Sequence, residues 1–232
     1  MNVFKKFALT VGTVALLLGS SVYAMPKALD ANYSVYKGSM NLGDMNLSLS
    51  YSGNQFHYYK NTQAKGFAAL ITKAKIIEKV DGSFNGNHIK PLKYYFLQST
   101  RNSSRVENTR FIRNMAQGAY KDKKFNLKLP TGTVDRASLE LALANDMISN
   151  KPRLTYNVME RGELKQYIFA RQGQERLTTP AGDFMTTKVK VVRAGNKRST
   201  MFWLAKKLDY MPVKIVHREK NDVITTVIKS HR

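Results

Sequence analysis

From Met45 to Tyr51 the chain alternates without a break. Met45, Leu47, Leu49 and Tyr51 point one way, and Asn46, Ser48 and Ser50 point the other. Side chains that repeat every second residue mark a strand with one face in a core and one in water. The same period returns in Phe125, Leu127 and Leu129 against Asn126 and Lys128, and again in Leu154, Tyr156 and Val158. Further strands are predicted over 32–38, 55–60, 73–80, 91–97, 106–115, 119–129, 153–160, 164–170 and 223–228. Turn residues separate them: Ser52-Gly53-Asn54, Asp81-Gly82, Asn85-Gly86-Asn87, Gln117-Gly118 and Arg161-Gly162-Glu163. The apolar stretch Gly66 to Leu70 reads equally as a helical turn or as a loop flap.

The stretch Thr179 to Val216 carries the clearest architecture: turn, strand, loop, strand, corner, strand. Pro180 and Gly182 make the first turn, Ala194-Gly195-Asn196 the second, and Leu208 to Pro212 the corner, with Pro212 opening the strand after it. One segment has a helical period instead. Asp135 is a candidate N-cap with Ser138 three residues on. Leu139, Ala142, Leu143 and Met147 form a stripe, widened by Leu141 and Ile148, and Pro152 stops the helix. The stripe reads as packing against a sheet. Together these patterns predict a mainly β fold: a single antiparallel curved sheet or barrel of roughly ten strands with one packed α-helix. The only candidate linker, Pro130-Thr131-Gly132, is too short to separate domains, so residues 25–232 read as one domain.

The motif Pro180-Ala181-Gly182-x-Phe184, then a strand, then Trp203 in a second strand, then Leu208-Asp209-Tyr210-x-Pro212-Val213 resembles the exported bacterial proteins grouped as domain of unknown function 3108. An early Tyr33-x-Val35-Tyr36-x-Gly38 and a central Asp135 to Leu139 fit the same pattern. The resemblance implies an envelope location and a β-rich fold. That family has no established activity, so it assigns no catalytic residues. It does mark Pro180, Gly182, Phe184, Tyr210 and Pro212 as structural motif positions.

The first residues read as a cleavable secretory signal, residues 1–24: Lys5 and Lys6, an apolar run from Phe7 to Leu18, then Val22-Tyr23-Ala24 ahead of the cut at Met25. The run is shorter than the ~20 residues of a spanning helix, and no later stretch is apolar enough to cross a membrane. Export places the mature chain in the periplasm. The sequence contains no Cys, so a lipoprotein cut and disulfide staples are both excluded, and a buried core must supply the stability.

Charge changes the picture further. There are 38 Lys and Arg against 16 Asp and Glu, a net +22, and only two of those cations lie in the signal. Such a balance suggests a polyanionic partner. Export argues against nucleic acid and toward an anionic lipid or acidic envelope glycan. The bland reading, a solvated basic surface, stands beside it.

Catalytic patterns are missing. The four histidines have no metal-ligand spacing, no Gly-x-Ser-x-Gly occurs, and neither phosphate-loop motif is present. No catalytic residue, metal or cofactor is assigned. Paired carboxylates act through space, which keeps an uncharacterised hydrolase open as a distant alternative. What remains is a surface pattern. Lys188 and Lys190 share a face in one strand, Lys214 and Arg218 share a face in another, and the connecting loop adds Arg193, Lys197 and Arg198 to the same basic patch. Lys188, Lys190, Lys214 and Arg218, with Trp203 between them, are the candidate ligand-binding residues. The expected function is non-catalytic binding of an anionic lipid or other amphiphilic envelope component. Docking of an acidic partner through the basic face is the alternative. The intact mass of the exported protein tests the leader: the expected species begins at Met25, and retention of residues 1–24 contradicts it.

Overall fold

The computed structural model describes residues 25–86, 88–193, 195 and 197–232. The signal segment 1–24 lies outside them, as do Asn87, Ala194 and Asn196 of two expected turns. Two antiparallel meanders make up the architecture. The first is β1 (Leu29–Lys37), β2 (Met40–Ser52), β3 (Gln55–Ala64), β4 (Lys75–Asn85), β5 (His88–Ser99), β6 (Ser104–Ile112), β7 (Met115–Tyr120) and β8 (Lys123–Lys128). The second is β9 (Val134–Asp135), β10 (Leu154–Glu160), β11 (Glu163–Thr179), β12 (Gly182–Val192), β13 (Arg198–Ala205), β14 (Met211–Glu219) and β15 (Asp222–His231).

Pairing of β1 with β15 fuses them into one open 15-stranded sheet that runs from β8 at one edge to β9 at the other. Every pair is antiparallel except β9 with β10. Helix α2 (Arg136–Ile148) touches β4, β5, β9, β10 and β14. Strands that far apart in the sheet order reach one helix only if the sheet curls around it, so α2 fills the concave side. Among the described residues no helix is long and apolar enough to cross a membrane.

The expectation of roughly ten strands and one helix is corrected to fifteen strands and two α-helices among the described residues. One expected hairpin becomes the three strands β6, β7 and β8, and two other glycines lie inside strands rather than between them. Gly118 is within β7, where a Cβ would stand 1.8 Å from the Asn108 carbonyl oxygen of β6. Its missing side chain permits a close strand approach, while the turns fall at Arg113-Asn114 and Lys121-Asp122. Gly82 sits at a register shift in the middle of β4 rather than ending it, and a Cβ there would meet the Phe56 ring at 2.3 Å. Gly173, at φ +90, accompanies the shift that lets β11 continue as one bent strand of 17 residues. The Gly66 stretch is a helix, α1 (Gly66–Thr72), with no buried residue.

Helix α2 follows its sequence pattern. Asp135 caps it, its Oδ1 accepting from the Ala137 and Ser138 amides at 2.8 and 2.9 Å, while Ser138 Oγ donates to Oδ2 at 2.6 Å. Leu139, Leu141, Leu143 and Met147 are buried. The cap carboxyl is itself fully enclosed, and burial pushes its pKa up to about 6 despite those hydrogen bonds. Gly118→Ala is expected to destabilise the fold by about 2–3 kcal/mol, since a backbone oxygen must yield to the new methyl. A denaturant midpoint equal to that of the unsubstituted protein contradicts the close-approach role.

Candidate functional site

A ladder of charge crosses the concave face. Lys60 of β3 is paired in register with Glu78 of β4, Glu78 with Phe96 of β5, and Phe96 with Glu107 of β6. The Lys60 ammonium, nearly sealed from water, lies 2.9 Å from Glu78 and donates to Glu140 Oε1 of α2 at 2.6 Å. Tyr58 donates to the other Glu140 oxygen at 2.7 Å, and Tyr94 donates to Glu78 at 2.8 Å. Burial pushes the Glu78 carboxyl up, but the Lys60 and Arg136 charges outweigh it and hold the pKa at about 2. Arg136 stands 3.6 Å from Glu78, 3.7 Å from Glu160 and 5.1 Å from the Phe96 ring centroid. Glu160 also accepts from Lys165 at 2.9 Å and Tyr167 at 3.1 Å.

Beside this ladder, between α2 and the inner faces of β10 to β14, lies a cavity of about 540 Å³, within the range of small-molecule sites. Its wall is graded. Arg198, Thr200, Phe202 and Leu204 all line it, and period-two spacing puts them on one face of β13. Steps of two residues therefore run from guanidinium to hydroxyl to aromatic ring to aliphatic side chain. Neighbouring strands repeat the order. Arg198 pairs with Glu219, Thr200 with His217 and Phe202 with Ile215, while Phe169 pairs with Val191. Leu139 and Leu143 of α2 close the apolar part.

At the polar end the side chains form a chain of contacts. Arg193 donates to Thr200 Oγ1 at 3.0 Å, and Thr200 Oγ1 meets His217 Nδ1 at 2.9 Å. His217 Nε2 is 3.7 Å from Glu219, which accepts from Arg198 at 2.6 and 2.7 Å. The carboxylates of the lining are thus partnered: Glu78 and Glu140 by Lys60, Glu160 by Lys165, Glu219 by Arg198. Three lining guanidinium groups, Arg105, Arg161 and Arg193, have no carboxylate partner among the described residues. The cavity thus has a cationic end and an apolar end. No group of three or more His, Cys, Asp or Glu among the described residues is placed to hold a metal ion.

The residues marked from sequence lie elsewhere. Lys188 pairs with Trp203, Trp203 with Lys214, Lys190 with Met201 and Arg218 with Ser199. Trp203 is flanked along β13 by the cavity-lining Phe202 and Leu204, so Trp203 and its partners occupy the opposite, outer face. Lys188, Trp203 and Lys214 do meet there. The Lys214 ammonium is 4.8 Å from the Trp203 ring centroid. Glu175, which the sequence pattern did not single out, accepts from Trp203 Nε1 at 2.6 Å and pairs with Lys188 at 2.7 Å. Hydrogen bonds from Lys188 and Trp203 lower its pKa. Lys190 and Arg218 stand on the same face without ion pairs among the described residues.

The structural motif positions are in place as architecture. Gly182 at φ +113 opens β12, Phe184 is buried, and the Pro212 carbonyl accepts from the Tyr33 hydroxyl at 2.9 Å. Asp209 and Tyr210 both take left-handed backbone conformations at φ +50 and +61, which turn the corner at a cost L-residues rarely bear. Of the inner arginines, Arg105 and Arg161 escaped sequence reading because they come from a separate strand end and turn, while Arg193 and Arg198, expected as part of the outer basic patch, line the cavity instead. A signal did exist for Lys60 and Glu107. Each takes a place in period two with buried aromatics, Phe56 and Tyr58 before Lys60, and Phe111 after Glu107.

Lys60→Met is expected to cost about 3–5 kcal/mol at neutral pH, because it leaves the Glu140 carboxylate without a cation and Glu78 with Arg136 alone. The pH dependence follows from Glu78. In the unsubstituted protein its carboxyl is held below the ordinary 4.5, so its stabilisation is present above about pH 4.5 and lost as pH falls toward 2. In the variant Arg136 alone opposes burial, so the Glu78 pKa is expected to rise and the stability lost between pH 4.5 and 2 to shrink. A variant with the same acid loss as the unsubstituted protein contradicts the assignment.

The fold has a solved counterpart. The beta-barrel-like protein of domain of unknown function DUF1849 from Brucella abortus aligns over 90% of this chain and 98% of its own, with a TM-score of 0.56 at 7% identity. That likeness is one of fold alone. A candidate lipoprotein from Parabacteroides distasonis ATCC 8503 aligns over 90% of this chain and 96% of its own, at 12% identity and a TM-score of 0.39. No curated protein matches the sequence. A family model described as a protein of unknown function (DUF3108) matches residues 32–229. The chain belongs to that family.

Proposed function

We infer that this is an exported, periplasmic, non-catalytic binding protein for an amphiphile with an anionic head, such as an anionic lipid, held in the cavity beside α2. The observation that carries the reading is the graded wall: guanidinium groups at one end, Phe202, Leu204, Leu139 and Leu143 at the other. Guanidinium groups without carboxylate partners suit a phosphate or carboxylate head, and the apolar part suits an acyl or similar tail. The leader pattern of residues 1–24 supports export. This moves the expected site from the outer Lys188, Lys190, Lys214, Arg218 and Trp203 to the inner arginines.

The outer face supports a second reading, docking of an acidic envelope partner, and Trp203 with its flanking lysines would be its centre. A hydrolase reading draws on Thr200, His217 and Glu219. The Thr200 oxygen, however, already accepts from Arg193, and the His217–Glu219 separation of 3.7 Å exceeds a hydrogen bond.

Native mass spectrometry of protein purified gently from the periplasm, followed by organic extraction, is the test. The expected result is a bound mass released as a lipid-class amphiphile. A clean apoprotein that takes up no lipid overturns the reading. Joint replacement of Arg105, Arg161 and Arg193 by Ala is expected to lower retention at least about tenfold, the scale of one lost charge-assisted hydrogen bond. Charge reversal of Lys188, Lys190, Lys214 and Arg218 to Glu is expected to leave retention unchanged. The opposite pattern transfers the site to the outer face.

A further inference from the structure

Helix α1 is built inside out. Residues three and four apart share a helix face, so Phe67, Leu70 and Ile71 form one, and they are 71%, 70% and 55% exposed. The half-buried positions belong to the small Ala68 and Ala69. Helices packed on a sheet ordinarily do the reverse.

The arrangement is held, not frayed. The Lys65 amide donates to the Leu42 carbonyl at 3.0 Å, anchoring the helix start to β2. Arg101 clamps the other end, its guanidinium donating to the Leu70 carbonyl at 2.6 Å and its amide to the Thr72 carbonyl at 2.8 Å. Lys73 closes the helix in a left-handed conformation, φ +48. These bonds hold three large apolar side chains in water.

The surroundings are basic. Lys65, Lys73, Lys75 and Arg101 lie next to the helix in sequence or in direct contact with it. The carboxylate in contact with this group, Asp44, is shared by Lys65 and Lys229. None of the α1 residues lines the cavity. Three side chains on a convex tip are too small an area for the core of a stable protein interface. A second copy would bring a second net +20, the +22 of the full sequence less Lys5 and Lys6, against the first. A bilayer has neither difficulty: apolar side chains enter the boundary between headgroups and acyl chains, and cations meet lipid phosphates.

We propose that α1 is a membrane-docking tip, with Phe67, Leu70 and Ile71 entering the surface of a bilayer rich in anionic phospholipid and the flanking cations meeting its phosphates. This rests on α1 alone and stands whether or not the cavity holds a lipid.

The experiment is flotation of residues 25–232 with phosphatidylethanolamine–phosphatidylglycerol vesicles and, in parallel, with phosphatidylcholine vesicles. Binding to the anionic vesicles and not to the zwitterionic ones is expected. A Phe67→Ser, Leu70→Ser, Ile71→Ser variant with an unchanged melting curve is expected to bind at least about tenfold more weakly, because apolar insertion is removed while every charge remains. Equal flotation of variant and parent overturns the proposal, since general charge attraction then suffices. Self-association of the parent through the tip, seen by sedimentation velocity and abolished in the variant, with no flotation, also overturns it. Phe67→Trp in a Trp203→Phe background gives a second readout. Its emission is expected to shift to the blue with anionic vesicles, and an unmoved spectrum contradicts insertion.

Discussion

One buried ammonium holds the interior together. Lys60 stands between a carboxylate of its neighbouring strand and a carboxylate of α2, and the remaining oxygens of both are taken by tyrosine hydroxyls. Burying three charges is costly, and the attraction among them repays that cost only when every lone pair and proton is matched. The match here requires α2 to sit at one height along β3 and β4, because Glu140 has one place from which it reaches both Lys60 and Tyr58. The apolar stripe of α2 alone would tolerate a slide along the sheet. With Asp135 capping the helix start against β10, both ends of the first two turns are pinned.

The cavity inherits its shape from that pinning. Leu139 and Leu143 close its apolar part only because Glu140, between them in sequence, is tied to the opposite wall. Arg136, one turn earlier, reaches the carboxylates of both meanders, Glu78 from the first and Glu160 from the second. Burial lowers the Arg136 pKa, but the nearer Glu78 charge dominates and raises it, so it stays charged. The inner face is therefore partitioned: a neutralised ladder on the side of β3 to β6, and a graded, cation-tipped wall on the side of β11 to β14. The outer face carries much of the remaining positive charge, with Glu175 tempering it at Trp203.

The sequence disclosed the fold class more readily than the site, for physical reasons. Period two is local, so strands such as β2 and β10 could be read directly. The Asp135 cap and α2 stripe were equally local. Glycines were the ambiguous signs. Gly53 and Gly162 turn the chain, whereas Gly82, Gly118 and Gly173 let a strand bend or approach its neighbour, and nothing within a few residues separates the two uses. Four of the five outer residues were legible because two of them fall together in each of two strands, with Trp203 in the strand between. Arg105, Arg161, Arg193 and Arg198 converge only through curvature, which no local period records. Lys60 and Glu107 were visible as anomalies on apolar faces, without a sign of their partners.

The joining of β1 to β15 places the first and last strands of the described residues at the centre of the sheet, not at an edge. The Asp30 amide donates to the Arg232 carbonyl at 3.1 Å, and the Arg232 amide returns to Asp30 at 2.9 Å. Each meander is built from nearest neighbours and closes with short loops, the quick kind of contact. The seam between them links positions about two hundred residues apart, whose loop-closure entropy is the largest in the molecule. A chain emerging N-terminus first can complete β1 to β8 while its last strand is still missing, leaving β1 as an unpaired edge in mid-sheet. Until β15 arrives, the protein is two half-sheets waiting for a single stitch.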